Sequence, residues 1–117
     1  MKILITGHKG FIGQNLIKFL EDHELSFYQP GDDLPKVNGL DWVIHLGAIT
    51  STTEKDVAKV LEANYDFSRY LVNQCLQHGV NFQYSSSASI YGLNKQFNES
   101  SPADPRSPYA WSKYLFD

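Results

Sequence analysis

Lys2 to Thr6, "KILIT", is a short apolar run closed by Gly7, and the following "FIGQNLIKFLED" carries Ile12, Leu16, Phe19 and Leu20 at helical spacing. Recurrence at three and four positions marks one face of an α-helix, so the chain is predicted to open as strand, tight turn and helix. A second strand is predicted from Leu25 to Gln29, ended by Pro30-Gly31, with Asp32 and Asp33 beyond. "WVIHLGA", Trp42 to Ala48, is apolar enough to form a third strand buried on both faces, as parallel strands are.

The longest periodic stretch follows. Thr53 is placed to cap a helix, with Glu54 and Asp56 in its first turn, and Gly79 supplies a stop after His78. Val57, Val60, Leu61, Phe67, Leu71, Val72 and Cys75 make its apolar stripe, and Asn64 and Ser68 interrupt it. In "VNFQYSSS", Val80, Phe82 and Tyr84 alternate with Asn81 and Gln83, the pattern of a fourth strand with one wet face and hence an edge. Gly92 to Arg106 is polar, contains Pro102 and Pro105, and reads as a loop; Pro108 then suits the first turn of a helix starting near Ser107. Strands alternating with helices imply parallel βαβ units with right-handed crossovers. The expected class is therefore α/β, a Rossmann-like three-layer α/β/α arrangement.

Composition narrows this further. A chain of 117 residues has room for one domain, and 42% hydrophobic with 20% charged residues is ordinary for a globular protein. No apolar run approaches the roughly 20 residues of a membrane span, and the apolar stretch before Gly7 is too short for a signal-peptide core. A cytoplasmic location is the default expectation. The single cysteine, Cys75, excludes an internal disulfide and reads as core, and no Cys/His set has metal-ligand spacing. A net charge of −3 gives no electrostatic reason to expect nucleic acid. His45 ends a buried strand and reads as structural; His8, His23 and His78 are expected to face solvent.

Candidate chemistry begins at "TGHKGFIG", where Gly7, Gly10 and Gly13 are spaced G-x-x-G-x-x-G between the first strand and first helix. Glycines there permit a tight turn, close approach of a pyrophosphate and packing of helix on sheet, while the helix N-terminus offers free N–H groups. Gly-Lys-Ser/Thr is absent, which excludes a triphosphatase phosphate loop. An acidic residue about 20 positions on would hold the ribose of NAD, and Asp32 and Asp33 are the nearest. Lys36 could meet the 2′-phosphate of NADP, although solvated loop charge accounts for it first. A spaced glycine triplet is also compatible with a merely tight turn, but its place after the first strand favours a dinucleotide, with NAD and NADP both open.

The second constellation is Tyr109 with Lys113, one helical turn apart and so on one face. A tyrosine ordinarily loses its proton near pH 10, so a tyrosine base needs a nearby cation, which Lys113 would supply. Tyr and Lys at this spacing are common on amphipathic helices. "YSSSASIYG" changes the weighing, because it sets hydroxyls at the carboxyl end of the fourth strand, where open α/β sheets bind ligands.

Taken in order, "TGHKGFIG", "HLGA", "YSSSASIYG" and "SPYAWSK" resemble the extended short-chain dehydrogenase/reductase superfamily of nucleotide-sugar epimerases and dehydratases. Within it, "TSTTEKD", "NYDFSRYL", "QYSSSASIYG" and "YAWSKYLFD" look most like the ADP-glyceromanno-heptose 6-epimerases. The resemblance implies that Ser87 bonds the reacting sugar oxygen, Tyr109 moves the proton, and Lys113 tunes Tyr109 and binds the nicotinamide ribose. Gly10, Phe11 and Ile12 would cradle the pyrophosphate, with Gly7 and Gly13 of the same turn and Asp32, the candidate from the spacing, counted in the cofactor site. Leu46, Gly47, Ala48, Ile49 and Thr50 would line the cofactor, and Asn64 matches a cofactor-site asparagine of the long helix. Ala63 stands where several relatives carry a further asparagine, which removes one contact. The resemblance also implies a nucleotide-sugar substrate and a homodimer formed through the long helix and the Tyr/Lys helix.

The chain also departs from that pattern. Only Pro30 to Asp41 separate the second strand from "WVIHL", too few residues for the helix-strand-helix many relatives place there. The sheet is therefore expected to be reduced to four parallel strands, in the order 2-1-4-5 by family position, with a trimmed adenine pocket. Relatives also continue well past the Tyr/Lys pair into a sugar-binding lobe, so residues 1–117 are expected to be a truncated NAD(P)-binding domain with that lobe absent. Trp111, Tyr114, Leu115 and Phe116 are then expected to leave apolar surface uncovered. Three readings compete: an epimerase or dehydratase represented by its cofactor-binding portion and expected to turn over poorly or not at all by itself, a non-catalytic NAD(P)-binding or interaction module, and a truncation that no longer binds anything well.

Overall fold

A computed structural model describes residues 1–117. Its elements are β1 (Lys2–Thr6), α1 (Phe11–Phe19), β2 (Glu24–Tyr28), β3 (Trp42–His45), α2 (Val57–Leu61), a π-helical turn (Glu62–Asp66), α3 (Phe67–His78), β4 (Asn81–Tyr84), a 3-10 turn (Ala88–Tyr91) and α4 (Pro108–Phe116). The four strands pair in parallel in the order β2-β1-β3-β4. This is the expected reduced, Rossmann-like sheet, with strands now counted along the chain. Register runs from Lys2↔Glu24 to Thr6↔Tyr28 on one side of β1 and from Ile3↔Trp42 to Thr6↔His45 on the other.

Two compact units divide the chain: Met1–Ala48 with Tyr70–Ser85, and Ile49–Arg69 with Ser86–Asp117. The first contains the sheet. Its core is apolar, made by Ile3, Leu4 and Ile5 of β1, Val43 of β3, Leu71 and Cys75 of α3, and Val37 and Val80. β1 is buried from Ile3 to Thr6, as a central strand flanked on both sides must be. β4 pairs only with β3, and its residues alternate between exposed and half-buried, which matches the edge read from the sequence.

The link from β2 to β3 holds neither helix nor strand. Thirteen residues, 29 to 41, can reach about 43 Å when extended. Returning along one strand and stepping past β1 needs roughly 20 Å, so an extended chain suffices where a helical crossover would not fit. Val37, fully buried, pins the link, and Tyr70 Oη donates to Pro35 O at 3.1 Å.

Several boundaries differ from the sequence reading. α1 stops at Phe19, and Phe11, Ile12 and Phe19 are exposed; only Leu16, Ile17 and the buried Gly13 turn inward. β2 begins one residue earlier than expected and β3 ends at His45 rather than Ala48. Thr53 does not cap the long helix: its hydroxyl pairs with Ser51 Oγ at 3.0 Å, and Asp56 caps instead, accepting from Lys59 N at 3.1 Å. Asp serves that position as well as Thr. The helix itself is broken by the π-helical turn, in which Phe67 N donates to Glu62 O, before α3 runs on to the stop at Gly79. Ser107 caps α4 by accepting from Ala110 N at 3.1 Å, and Pro108 occupies its first turn as expected.

Candidate active site

In the first unit the glycine turn is shaped by sterics. Gly7 has φ +73°, and a Cβ there would lie 2.6 Å from Gly47 N; a Cβ on Gly13 would lie 2.3 Å from Gly7 O. Backbone atoms cannot yield to such contacts, so only glycine fits at either position. Gly10 is the N-cap of α1 and brings no side chain to the first turn. The N–H groups of that turn are thus left uncapped, and a backbone-lined concavity at a helix start is suited to a pyrophosphate. Asp32, the candidate ribose ligand, is exposed and folds back on the end of β2: its N–H donates to Gln29 O and its Oδ2 accepts from Gln29 N, both at 3.1 Å. Leu46, Gly47 and Ala48 leave β3 as irregular, half-buried backbone.

His8 does not face solvent. It is half-buried, its Nδ1 is enclosed without a hydrogen-bond partner, and its ring centroid lies 4.8 Å from that of Phe27. Phe27, paired with Ile5 across the β1–β2 ladder, offers the ring an apolar surface. His78 is exposed as expected, and His23 Nδ1 meets the N-terminal amine at 3.3 Å. Cys75 is buried, and burial pushes its thiol pKa up, which fits a core residue and not a nucleophile.

The second unit brings Ser87, Tyr109, Lys113 and Asn64 into one compact body. Ser87 caps the 3-10 turn: its Oγ accepts from Ser89 N at 3.1 Å and lies 2.8 Å from Ser89 Oγ. Tyr109 and Lys113 share a face of α4, with Lys113 Nζ 6.0 Å from the Tyr109 ring centroid. Lys113 is buried; that burial holds its pKa below the usual lysine value, and the Asp117 carboxylate works weakly in the other direction. Trp111, Tyr114 and Leu115 are exposed as expected, while Phe116 is half-buried.

Asn64 explains the polar break in the apolar stripe. Its Oδ1 accepts from Ile49 N at 2.7 Å, and its Nδ2 donates to Ile49 O at 2.9 Å and to Ser112 Oγ at 3.0 Å. Both amide protons are therefore committed within the protein. Ser112 in turn donates to Tyr109 O at 2.7 Å, and Ser68 Oγ donates to Asn64 O. Ser112 went unremarked in the sequence, where only its place between Tyr109 and Lys113 could have drawn attention. Ile49 is half-buried and Thr50 exposed.

Asp104 was equally silent in the sequence. Its carboxylate accepts from Leu93 N at 3.1 Å and from Arg106 Nε at 2.9 and 3.0 Å, and its own N–H donates to Ile90 O at 2.7 Å. Asn94 Nδ2 spans the same loop, donating to Tyr91 O and Pro102 O. The Leu93 N–H first and Arg106 second hold the Asp104 carboxyl below its usual pKa. No group of three or more His, Cys, Asp or Glu lies together as a metal site would require, and no helix is long and apolar enough to cross a membrane.

Residues 30–117 match the family described as the NAD dependent epimerase/dehydratase family. The chain belongs to that family. Among relatives, ADP-L-glycero-D-manno-heptose-6-epimerase of Cupriavidus pinatubonensis is 35% identical over an aligned stretch of 147 residues, which takes in 100% of this chain and 44% of the relative. Because this chain has 117 residues, at least 30 positions of that stretch have no counterpart in it. Among solved structures, the UDP-Glc/GlcNAc 4-epimerase of Campylobacter jejuni superposes with a TM-score of 0.84 at 28% identity, covering 98% of this chain and 46% of the other. The UDP-N-acetylglucosamine 4-epimerase of Methanobrevibacter ruminantium, in complex with UDP-N-acetylmuramic acid, gives 0.88 at 25% identity, covering 98% and 47%. This member of the NAD dependent epimerase/dehydratase family thus spans less than half the length of the relatives it matches.

Proposed function

We propose that residues 1–117 are the NAD(P)-binding portion of a nucleotide-sugar epimerase or dehydratase, with Ser87, Tyr109 and Lys113 as its catalytic residues. The observation that carries this reading is Lys113, a lysine buried on the same face of α4 as Tyr109 within a chain of this family. A buried ammonium beside a phenol favours the phenolate by its charge. Ser87 would donate its hydroxyl to the reacting sugar oxygen while Tyr109 exchanges a proton with it.

The cradle at Gly7, Gly10 and Gly13 fits a dinucleotide pyrophosphate, bound by the N–H groups of Phe11, Ile12 and Gly13. Leu46 to Thr50 would line the cofactor, with Asp32 toward the adenosine ribose. Asn64 would act indirectly, by holding Ile49 and Ser112. When bound, the nicotinamide ring would accept a hydride from a sugar carbon and return it. The sugar-binding surface of such an enzyme would come from outside these 117 residues, and the short β2–β3 link would leave the adenine side open. That link also supports the second reading, a non-catalytic NAD(P)-binding module.

Calorimetric titration with NAD and NADP, followed by UDP-sugars or ADP-heptose with absorbance of the reduced nicotinamide as readout, separates the two. Cofactor binding is expected, with reduction that is slow at best because the sugar-binding surface would come from outside these residues, and that slow reduction should be lost in Tyr109→Phe. Binding without reduction, unchanged in that variant, would favour the module, and no binding of either cofactor would sink both. We further propose self-association through the apolar face formed by Val57, Leu61, Trp111 and Leu115. A clean monomer in size-exclusion chromatography with light scattering at high concentration would overturn it.

A further inference from the structure

We propose that Asp104 is a positioning residue for the catalytic pair: it closes the neck of the loop that joins Ser87 to Tyr109 and so fixes the spacing of their two hydroxyls. The proposal rests on the catalytic reading above and adds a residue that the motif reading did not assign to the site.

Ser87 caps the 3-10 turn, Tyr109 stands in the first turn of α4, and the 3-10 turn packs against α4. Between the two residues the chain leaves at Gly92 and returns at Asp104. Residues 92–106 hold no helix or strand, so no backbone ladder fixes their path and side chains must do so. Asp104 ties both legs of the loop. Its N–H donates to Ile90 O, within the 3-10 turn, at 2.7 Å, and its Oδ2 accepts from Leu93 N at 3.1 Å. The same carboxylate accepts from Arg106 Nε at 2.9 and 3.0 Å, and Arg106 immediately precedes Ser107, the cap of α4. One residue thus bonds the turn behind Ser87 and the approach to Tyr109.

Gly92 shows how tight this neck is. It has φ +54°, and a Cβ there would strike both the carbonyl and the carboxylate of Asp104, so only glycine fits opposite that residue. Asn94 Nδ2 bridges the same legs further out, donating to Tyr91 O at 2.6 Å and to Pro102 O at 2.8 Å. On the other side of Ser87, Ser86 Oγ donates to Asp117 Oδ2 at 2.6 Å, at the end of α4. The segment that carries Ser87 is therefore held to α4 or its approach at both ends, and Asp104 makes the tie on the Tyr109 side. A sugar oxygen has to reach both hydroxyls at once. A displacement of the 3-10 turn by about 1 Å would spoil that geometry without altering either side chain.

The test uses the full 117-residue chain, with assigned amide NMR spectra recorded well below each variant's melting temperature. In Asp104→Ala the amides of Ser87, Ser89 and Tyr109 are expected to shift together with those of the loop. Asp104→Asn keeps an oxygen for Leu93 N and should shift them less. Gly92→Ala, which opens the neck from its other leg, should move the same amides. Shifts confined to residues 92–106 would overturn the proposal, because Asp104 would then close only its own loop. An Asp104→Asn spectrum as displaced as that of Asp104→Ala would overturn it too. With NAD and a UDP-sugar or ADP-heptose present, the slow reduction should fall about 10-fold in Asp104→Ala, while NAD affinity stays within about 2-fold of the original chain. If the original chain reduces no cofactor, the loss falls on the catalytic reading, and the amide spectra still decide whether Asp104 holds Ser87 and Tyr109 in place.

Discussion

The two compact units bury different kinds of residue. In the first, Ile3, Leu4, Ile5, Val37, Val43, Leu71, Cys75 and Val80 are buried, and the polar exceptions among the buried side chains are Thr6 and His45, bonded to each other at the edge of the cradle. In the second, Val60 and Ala110 are the buried apolar side chains, outnumbered by Asn64, Ser68, Ser112 and Lys113. Burying apolar surface drives folding, whereas a buried polar group gains only about 1 kcal/mol when it is hydrogen-bonded and costs stability when it is not. The first unit is thus organised for stability. The second gives up stability to hold a lysine and a hydrogen-bonded relay in fixed places, which is the usual signature of a functional site.

That contrast can be broken by paired substitutions. Leu71→Ala opens a cavity in the apolar unit and is expected to cost about 3 kcal/mol. Asn64→Leu leaves both backbone groups of Ile49 and the Ser112 hydroxyl without their partner, an expected loss of about 2 kcal/mol. Urea melts would read both, and an Asn64→Leu variant as stable as the original chain would show that the polar relay adds nothing to the second unit.

A smaller effect of opposite sign sharpens the comparison at Lys113. Burial lowers its folded pKa below the 10.5 of an exposed lysine, so the unfolded chain holds more protons between those two values and stability rises with pH across that window. Lys113→Met removes the buried charge, so the variant should be more stable near neutral pH by about 1 kcal/mol. The gap should narrow as the pH rises toward 10.5. Thermal melts of both chains at a series of pH values would check this, and a variant less stable at neutral pH would contradict it.

The smallest effect is expected at Asp104. Its carboxyl titrates below its usual 3.8 in the folded chain, so the stability it contributes is complete above that value and is lost as pH falls through the lower folded one. Asp104→Asn should lower the neutral-pH melting temperature slightly and flatten the acid limb of the melting profile, so that the two chains converge as the pH falls; identical profiles would contradict this.

Much of the first unit was legible in the chain because its determinants are local. KILIT followed by a glycine triplet states strand, turn and helix, and a twelve-residue gap before WVIHL leaves no room for another strand. Errors fell where a side chain had a choice of partner. Thr53 and Asp56 are both good caps, and only the path of the chain decides between them; His8 turns inward because Phe27 is beside it in the folded sheet.

From the sequence alone came the α/β class, the parallel four-stranded sheet, the tight glycine turn after β1 and the shared helix face of Tyr109 and Lys113, because periodicity, glycine sterics and motif order act over short spans of chain. Tertiary structure decided the rest. The Asn64 relay to Ile49 and Ser112 joins residues 15 and 48 positions apart, and the Thr6–His45 bond joins residues 39 apart. No local pattern encodes such pairs: a buried polar atom takes whichever partner the packed backbone brings within hydrogen-bonding distance.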